Sequence, residues 1–270
     1  MAIPISVDKL IEFLDKWGVN YKKYENWSTH NRNHKGPWGP VNGLMWHHTG
    51  SDSKDQRDLL KNGTGSLPGP LCQYGIAQDG TVWLIGHGRA NHAGSGDDDV
   101  LNAVINETTP PVDNETNTDG NRHFYGIEFW YSGSHPMTDE QYFSGIRLSC
   151  ALMDYHNWTG ASVIGHGEWQ PGKWDPGSTK GKMMNMTNVR HDINDALKRG
   201  PKPVATEPAK SQTYREVWET DAAKIPVQAS DGDNKYWWPM TMLTEAYNEA
   251  RIARKNTEAI MKMLGMDVKP

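Results

Sequence analysis

Residues 72–85, CQYGIAQDGTVWLI, contain two short apolar runs separated by the dipeptide Asp79-Gly80. An Asp-Gly turn between apolar runs favours a β-hairpin, because glycine readily adopts the positive φ angles of tight hairpin turns. The sequence therefore predicts an antiparallel pair of strands on either side of this dipeptide. Further along, residues 124–131, FYGIEFWY, have the aromatic composition of another strand, and Glu128 is the single carboxylate within it.

Outward from this hairpin, capping residues and apolar spacing predict helices and further strands. Thr138 followed by Gln141 is a capping-box pattern ahead of an apolar stripe, and Ser6 is a suitable N-cap for an N-terminal helix. The predicted strands are 44–46, 72–77, 81–85, 124–131 and 163–164, and the predicted helices are 6–17, 139–156 and 188–197. Strands interleaved with helices indicate an α/β or α+β domain.

The acidic stretch at residues 95–121 is predicted to be a solvated loop. It carries seven Asp and Glu side chains and no Lys or Arg. No element of regular structure is expected within it.

The chain divides into a domain at 1–199, a linker at 200–212 and a small, mainly helical segment at 213–270. The linker sequence, GPKPVATEPAKSQ, is rich in Pro, Ala and Lys. In the last segment, an apolar stripe with 4-3 spacing ends at Leu264 and is interrupted by Arg254. Such a stripe suits packing within the chain, pairing of helices in a homo-oligomer, or docking on a target.

Composition argues against several classes of protein. With 28 basic and 33 acidic side chains in 270 residues, the net charge of -5 disfavours a nucleic-acid binder that neutralises phosphates. No run approaches the ~18 apolar residues of a membrane span, so membrane insertion is not expected. Two cysteines, Cys72 and Cys150, make no disulfide framework and fit synthesis in a reducing compartment. Twelve tryptophans suit stacking on sugars as well as core packing.

Three polar residues could together hold a metal ion. A hydrolytic zinc site needs three protein ligands and an open position for water, and His47, His166 and Asp175 would supply that number. Taken singly, a histidine at a strand end is more often an ordinary polar residue, and an Asp before Pro is usually a turn residue. Glu128 would be costly to bury without a partner or a task, so a structural salt bridge and a catalytic role are both open.

Four motifs follow one another along the chain: LMWHHTG at 44–50, YGIAQDGTVWLIGHGRANHAG at 74–94, YGIEFW at 125–130 and GHGEWQPGKWDPG at 165–177. In this order they resemble the zinc-dependent N-acetylmuramoyl-L-alanine amidases of type 2, which are related to peptidoglycan recognition proteins. The resemblance covers about residues 40–198 and implies a central mixed β-sheet flanked by helices. The segment WSTHNRNHKGPWGPVNGLMWHHT at 27–49 looks most like endolysins of phages that infect actinobacteria.

The resemblance implies a role for each of five polar residues. It places one Zn²⁺ on His47, His166 and Asp175, where other members have either Asp or Cys at the third position. Glu128 matches the catalytic acid of the family, and Lys173 matches its active-site lysine. The implied reaction is hydrolysis of the amide bond between N-acetylmuramic acid and L-alanine in bacterial peptidoglycan.

Residues that flank these motifs are expected to bind the substrate, although plain packing would explain each of them equally well. They are Tyr74, Arg89, Asn91, His92 and Trp174. One position departs from the family, because Cys72 stands where many phage and animal members carry a tyrosine at the catalytic site. Tyr74 is expected on the same face of the strand as Cys72.

Two other functions remain open on the sequence. They are a non-catalytic peptidoglycan-binding module and a zinc endopeptidase that acts on stem or cross-bridge peptides. Binders of this family typically lack a metal ligand, so three competent ligand positions favour catalysis. An endopeptidase also hydrolyses amide bonds, and the sequence is compatible with it. As an endolysin, the protein would be made in the host cytoplasm without a signal peptide. It would reach the cell wall after release through a separate membrane-permeabilising protein.

Overall fold

Six strands form a mixed central sheet in the computed structural model, which describes residues 2–201. The helices are α1 (Val7–Lys16), α2 (Arg57–Asn62), α3 (Asp98–Ile105), α4 (Gly120–His123), α5 (Asp139–His156) and α6 (Met186–Arg199). The strands of the central sheet are β1 (Tyr21–Lys23), β2 (Gly43–His48), β3 (Tyr74–Ile76), β4 (Val82–Leu84), β7 (Phe124–Phe129) and β8 (Val163–Gly165). Two short ladders pair β5 (Ser95–Gly96) with β6 (Thr118–Asp119) and β9 (Gly177–Thr179) with β10 (Lys182–Met183).

The sheet has the strand order β1-β4-β3-β7-β2-β8. Strands β3, β7, β2 and β8 run parallel, whereas β4 is antiparallel to β3. The β3–β4 pair aligns Tyr74 with Leu84 on either side of the Asp79-Gly80 turn, which confirms the predicted hairpin. Because β2, β7 and β8 are parallel, the residues that end or follow them meet at one edge of the sheet, here called the carboxyl edge. The predicted fold class, a mixed sheet flanked by helices, is confirmed.

Alternating side chains divide the sheet between two hydrophobic cores. On β2, Leu44 and Trp46 point into the larger core, which α1, α5 and α6 cover. Met45 points to the opposite face and packs in a smaller core with buried residues of α3. Side chains alternate along a strand, so His47 belongs to the face of Met45. His47, the predicted metal ligand on β2, therefore lies on the face of the sheet away from the three large helices.

Capping places two of the predicted helices as the sequence indicates. Ser6 Oγ accepts a hydrogen bond from the Lys9 amide at the start of α1. At α5, the Thr138 hydroxyl accepts from the Gln141 amide while the Gln141 side chain accepts from the Thr138 amide. Each such cap is worth about 1 kcal/mol, and together they fix where the two helices begin.

The prediction of a loop throughout 95–121 is wrong at both ends, because the first part contains β5 and α3 and the last part contains β6 and the start of α4. Asp97 caps α3 by accepting a hydrogen bond from the Asp99 amide, and its second carboxylate oxygen accepts from the Asn114 amide. Val100 and Val104 of α3 are fully buried. Three consecutive aspartates suggested solvent, yet acidic residues are favourable in the first turn of a helix, and the apolar residues behind them cover the sheet.

Among residues 2–201, none of the helices combines the length and the apolar character that crossing a bilayer requires. Apart from Gly200 and Pro201, the predicted linker and the segment at 213–270 lie outside the described residues. The homo-oligomer prediction for that segment lies outside them as well.

Candidate metal centre and active site

Three side-chain acceptor atoms meet at the carboxyl edge of the sheet. His47 Nδ1 lies 3.1 Å from His166 Nδ1, and Asp175 Oδ2 lies 3.0 Å from each of these nitrogens. His47 is near the end of β2, His166 directly follows β8, and Asp175 lies on the loop that leads to β9. Both histidines are buried and the aspartate is mostly so. The structure thus brings the three predicted ligands together as a group that could hold a metal ion.

A chain of hydrogen bonds sets the tautomer of His47. His92 Nε2 lies 3.1 Å from the carbonyl oxygen of Phe124, which can only accept, so this nitrogen carries a hydrogen. His92 Nδ1 is then an acceptor, and His47 Nε2, 3.0 Å away, donates to it. The Nδ1 atom of neutral His47 therefore carries no hydrogen, and its lone pair faces His166 and Asp175. Outer-shell partners commonly orient metal-binding histidines in this way.

His166 has the same orientation for a comparable reason. Its Nε2 lies 3.2 Å from Gln170 Oε1, which accepts the hydrogen and leaves Nδ1 free for the site. The turn that carries His166 is held from α6, where both terminal nitrogens of Arg190 lie 2.9 Å from the two carboxylate oxygens of Glu168. Glu168 also accepts a hydrogen bond from the Gly165 amide. A bidentate ion pair thus fixes the backbone on both sides of His166.

Asp175 depends on two side chains that hold the peptide two residues further on. The Gly177 amide donates to His48 Nδ1 at 2.9 Å, and the buried Tyr131 hydroxyl donates to the Gly177 carbonyl oxygen at 2.6 Å. A Cβ atom at position 177 would lie 2.3 Å from the Gly133 carbonyl oxygen, so only glycine fits there. Both hydrogen-bonding groups of Gly177 are therefore taken by side chains from the ends of β2 and β7.

The donor set fits a metal ion. Three acceptor atoms without a hydrogen between them repel one another, and a cation in their midst removes that repulsion. A tetrahedral site with N and O ligands at ~2.0–2.1 Å has ligand atoms about 3.3 Å apart, close to the separations of 3.0 and 3.1 Å found here. Burial lowers the pKa of His47 to about 4. Burial acts to raise the pKa of Asp175, but contacts with His166 and His47 bring it below its ordinary value. Neutral imidazole and carboxylate are the forms that bind metals.

Glu128 lies beside this group on the neighbouring strand. In the parallel β2–β7 pair, Glu128 is in register with His47, so both side chains lie on the same face of the sheet. Its Oε2 is buried and has no hydrogen-bond partner within the described residues. Burial raises the pKa of Glu128 well above its ordinary value, and the charge of Asp175 adds to this effect. A structural salt bridge, the alternative for Glu128, is absent from residues 2–201. The orphaned carboxylate is typical of an acid or base that waits for a substrate.

On the other side of Glu128, strand β3 carries Gly75, which makes room for the side chains of Leu60 and Trp130. Gly75 is in register with Glu128 on β3, and a Cβ atom there would lie 2.9 Å from Trp130 Nε1. The buried thiol of Cys72 is also close, because the charge of Glu128 contributes to its raised pKa after the larger effect of burial. Cys72 thus lies next to the candidate acid, at the position where the family often has tyrosine.

Lys173 and Trp174 precede Asp175 on the same loop. Lys173 is exposed, and its charge lowers the pKa of Glu128, which places the two groups within electrostatic range. Trp174 is half-buried, with its ring 4.6 Å from the ring of His48. The two predicted residues are therefore available at the rim of the site.

The remaining residues predicted to bind substrate have other contacts. Tyr74 is 1% exposed and packs in the core under α1 and α5, so the structure does not place its side chain at the site. It also lies in a different core from Cys72, so the two do not share a face. His92 is buried behind His47 and acts on that ring rather than on a groove. Arg89 is largely buried in an ion pair with Asp119, and Asn91 donates to the Pro68 carbonyl oxygen.

The sequence reasoning missed most of the residues that orient the ligands. They are His48, Tyr131, Gln170, Glu168 and Arg190, which all act on the backbone or ring of a ligand-bearing segment. Only the side-by-side placement of β2, β7 and β8 brings them together.

The mixed sheet thus carries a buried His-His-Asp group at the carboxyl edge of its parallel strands, beside an unpaired glutamate. The family model described as N-acetylmuramoyl-L-alanine amidase (Amidase_2) matches residues 37–178, more than half of the chain. The chain belongs to this family, whose members are typically metal-dependent, and membership supports peptidoglycan amidase activity. The matched region contains all three predicted ligands and both predicted catalytic residues. None of the curated proteins matches the chain.

Several solved structures resemble the fold. The endolysin amidase LysCS from Clostridium intestinale URNW is 19% identical, with a TM-score of 0.44 over 64% of this chain and 95% of that one. The Ph2119 endolysin from the Thermus scotoductus MAT2119 bacteriophage Ph2119 is 16% identical, with a TM-score of 0.41 over 64% and 99%. The Drosophila peptidoglycan recognition protein SA is 15% identical, with a TM-score of 0.36 over 53% and 76%.

Proposed function

We propose that this protein is a zinc-dependent N-acetylmuramoyl-L-alanine amidase that cleaves the amide bond between N-acetylmuramic acid and L-alanine in peptidoglycan. His47, His166 and Asp175 would hold the zinc ion. The observation that carries the proposal is the convergence of these three acceptors beside the unpaired carboxyl of Glu128, in a chain of the amidase family. When bound, zinc supplies a Lewis acid and lowers the pKa of water toward ~7.

The chain's own residues account for the proton transfers. Glu128 is placed to take the proton of the attacking water and to deliver it to the nitrogen of the leaving amine. Its raised pKa helps the first transfer, because a more basic carboxylate takes a proton from water more readily. The ammonium of Lys173 would stabilise negative charge on the carbonyl oxygen during attack. Trp174, half-buried at the rim, would contact the glycan or the stem peptide next to the bond.

Digestion of purified cell walls tests this reaction directly. An amidase releases free lactyl carboxyl groups on muramic acid together with new L-alanine amino termini. An endopeptidase instead releases other amino groups while every lactyl group stays substituted. A binding module sediments with walls and releases neither. Chelation should abolish release, and added Zn²⁺ should restore it more fully than Mg²⁺ or Ca²⁺.

We also propose that the protein acts as an endolysin of a phage that infects actinobacteria. The support is the similarity of residues 27–49 to that group and the family to which the chain belongs. It would be made in the host cytoplasm and reach the wall through a separate membrane-permeabilising protein. Lysis of actinobacterial walls, compared with walls from other phyla, tests the host range.

The segment at 213–270 is proposed to set association with the wall or assembly of chains, with no part in the chemistry. A chain that ends at Gly200 should bind one zinc ion and hydrolyse a soluble muropeptide at the full-length rate. It should lose activity on intact walls. Loss of soluble-substrate turnover in a folded, zinc-loaded truncation would contradict this division of roles, and sedimentation of both chains would show whether the segment pairs copies.

A further inference from the structure

A second cleft lies between the end of α5 and the end of α6. Its volume is about 550 Å³, within the ~300–1,000 Å³ of typical small-molecule sites. The partly exposed Leu197 supplies apolar surface, and Asn157, Trp158 and Asn194 supply polar groups and an indole ring. This combination differs from the metal centre, which is built from charged and titratable side chains.

The cleft lies at the opposite edge of the sheet from the metal centre. Strands β7 and β8 are both parallel to β2, and helix α5 connects them. The helix therefore starts at the carboxyl edge of the sheet and ends at the other edge. Its 18 residues span about 27 Å at ~1.5 Å per residue. A ligand in the cleft would therefore leave the candidate active site free.

Several polar groups around the cleft have hydrogen-bonding capacity to spare. Within residues 2–201, the amide side chain of Asn157 has no hydrogen-bond partner. Asn194 accepts from the Gly160 amide through Oδ1 at 2.7 Å, which leaves its Nδ2 hydrogens available. Asp154 Oδ2 accepts from Trp17 Nε1 at 2.8 Å and pairs with Lys16 Nζ at 2.7 Å, which leaves Oδ1. The cleft thus offers neutral donors, a neutral acceptor and one carboxylate oxygen.

Trp158 gives the cleft a rigid aromatic wall. One face of its indole is stacked on His156, with ring centroids 4.0 Å apart and an interplanar angle of 18°. The ring is part-buried, and within the described residues its Nε1 has no hydrogen-bond partner. A ring held in this way loses little entropy when a ligand packs against it, and it offers both apolar surface and a donor.

The charges disfavour an anionic ligand. Asp154 and Lys198 both line the cleft, and Lys198 Nζ lies 3.5 Å from Asp195 Oδ1 on its own helix. A phosphate or carboxylate would meet the Asp154 carboxylate without a surplus of positive charge. Sugars suit the site better, because their hydroxyl and amide groups pair with neutral side-chain amides while their C–H faces pack on an indole.

We propose that this cleft binds an N-acetylated hexosamine of a glycan strand. The apolar surface of Leu197 suits the acetyl methyl group, and the amides of Asn157 and Asn194 suit hydroxyl groups and the acetamide. The choice of sugar rests on the proposed function, since a peptidoglycan amidase works on a polymer of such sugars. Binding here would hold the enzyme on glycan while the metal centre acts on a separate stem.

Titration of the ¹⁵N-labelled full-length chain with chitotriose, the trimer of N-acetylglucosamine, tests the proposal. The indole N–H signal of Trp158, assigned from the Trp158→Phe spectrum, should shift in a saturable way. Asn194→Asp keeps the acceptor for the Gly160 amide while it removes the donors, and Asn157→Gly suits the backbone there, which has a φ of 57°. Both should weaken binding at least fivefold. Asn102→Ala, which removes an exposed amide on α3, is the matched control and should bind as the wild type does.

Three results would overturn the assignment. They are an unmoved Trp158 signal at saturating chitotriose, equal affinity of wild type and both asparagine variants, and a Trp158 shift with a free stem peptide but not with chitotriose. Hydrolysis of a soluble muropeptide, measured on the same samples, should be unchanged in all the asparagine variants. If the wild-type chain failed to hydrolyse it, the amidase proposal would fail, whereas the binding result would stand on its own.

Discussion

The two halves of the candidate site are built differently. His47 and Glu128 lie on adjacent strands, and the β2–β7 register alone places them side by side on one face. His166, Lys173 and Asp175 instead follow β8 on a stretch with a single short 3-10 turn before β9. Backbone hydrogen bonds of the sheet position the first pair. The second group depends on individual side chains that reach in from elsewhere.

The pair His47 and Glu128 is here called the strand half, and the group that follows β8 is called the loop half. The loop half has two separate anchors, and each contacts backbone rather than the ring of a predicted ligand. Arg190 and Glu168 hold the turn at His166, while His48 and Tyr131 hold the peptide of Gly177. The strand half needs only His92, which sets the tautomer of His47. Substitution of Glu128 should therefore change chemistry with little effect on assembly, whereas anchor substitutions should change metal binding or stability.

The largest effect is expected for Glu128→Gln, which keeps the shape of the side chain and removes the proton carrier. Turnover of a soluble muropeptide should fall ~10² to 10⁴-fold, the usual contribution of a general acid or base. Zinc content by atomic absorption and the thermal midpoint should match the wild type, since Oε2 of Glu128 has no partner to lose. A Glu128→Gln enzyme that turns over normally would remove Glu128 from the mechanism.

A smaller effect, on metal affinity, is expected from the anchor at Gly177. Tyr131→Phe and His48→Leu each remove one hydrogen bond to this peptide, and outer-shell losses typically cost 10 to 100-fold in affinity for the metal. His48→Asn is the matched control, because its amide oxygen can accept from the Gly177 amide as His48 Nδ1 does. Competition with a fluorescent zinc chelator measures the affinities.

The comparison between the halves would break if His48→Asn bound zinc as weakly as His48→Leu. In that case the ring of His48, which packs on Trp174, would matter rather than its acceptor. Unchanged affinity in both Tyr131→Phe and His48→Leu would show that the loop holds Asp175 without this anchor.

The difference between the halves also explains what could be predicted from the sequence. The Asp79-Gly80 turn, the Thr138 cap and the aromatic strand at 124–131 are local signals, and the structure contains each element they predict. Motif order indicated which residues could be ligands. Tyr74 misled because period-two alternation does not say which face is the core. Tyr131 and Arg190 had no local signal, since their partners are 46 and 22 residues away.

Substitution in the other anchor, the Arg190–Glu168 pair, is expected to lower the stability of the fold more than the affinity for the metal. Arg190→Met leaves the part-buried Glu168 carboxylate without its bidentate partner, which should lower the free energy of unfolding by about 2 kcal/mol. Arg190→Lys keeps the charge but loses the paired geometry, so its free energy of unfolding should lie between those of the wild type and Arg190→Met. Urea denaturation followed by tryptophan fluorescence measures both, and equal stability of Arg190→Met and wild type would show that the turn at His166 stands without α6.

The smallest effect is expected far from both halves, at His156 on the last turn of α5. The Tyr125 hydroxyl accepts from the Ile5 amide and lies 3.0 Å from His156 Nε2. Burial lowers the pKa of His156 to about 4, against 6.5 in the unfolded chain. Because the unfolded chain takes up the proton first, this contribution is complete above pH 6.5 and is lost as the pH falls toward 4. The side chain is part-exposed, so the loss should amount to about 1 kcal/mol.

His156→Gln keeps an acceptor for Tyr125 and does not titrate, so its stability should fall less steeply than that of the wild type over this range. Parallel curves for the two proteins would mean that His156 titrates normally in the folded state, and zinc affinity at pH 7 should be the same in both.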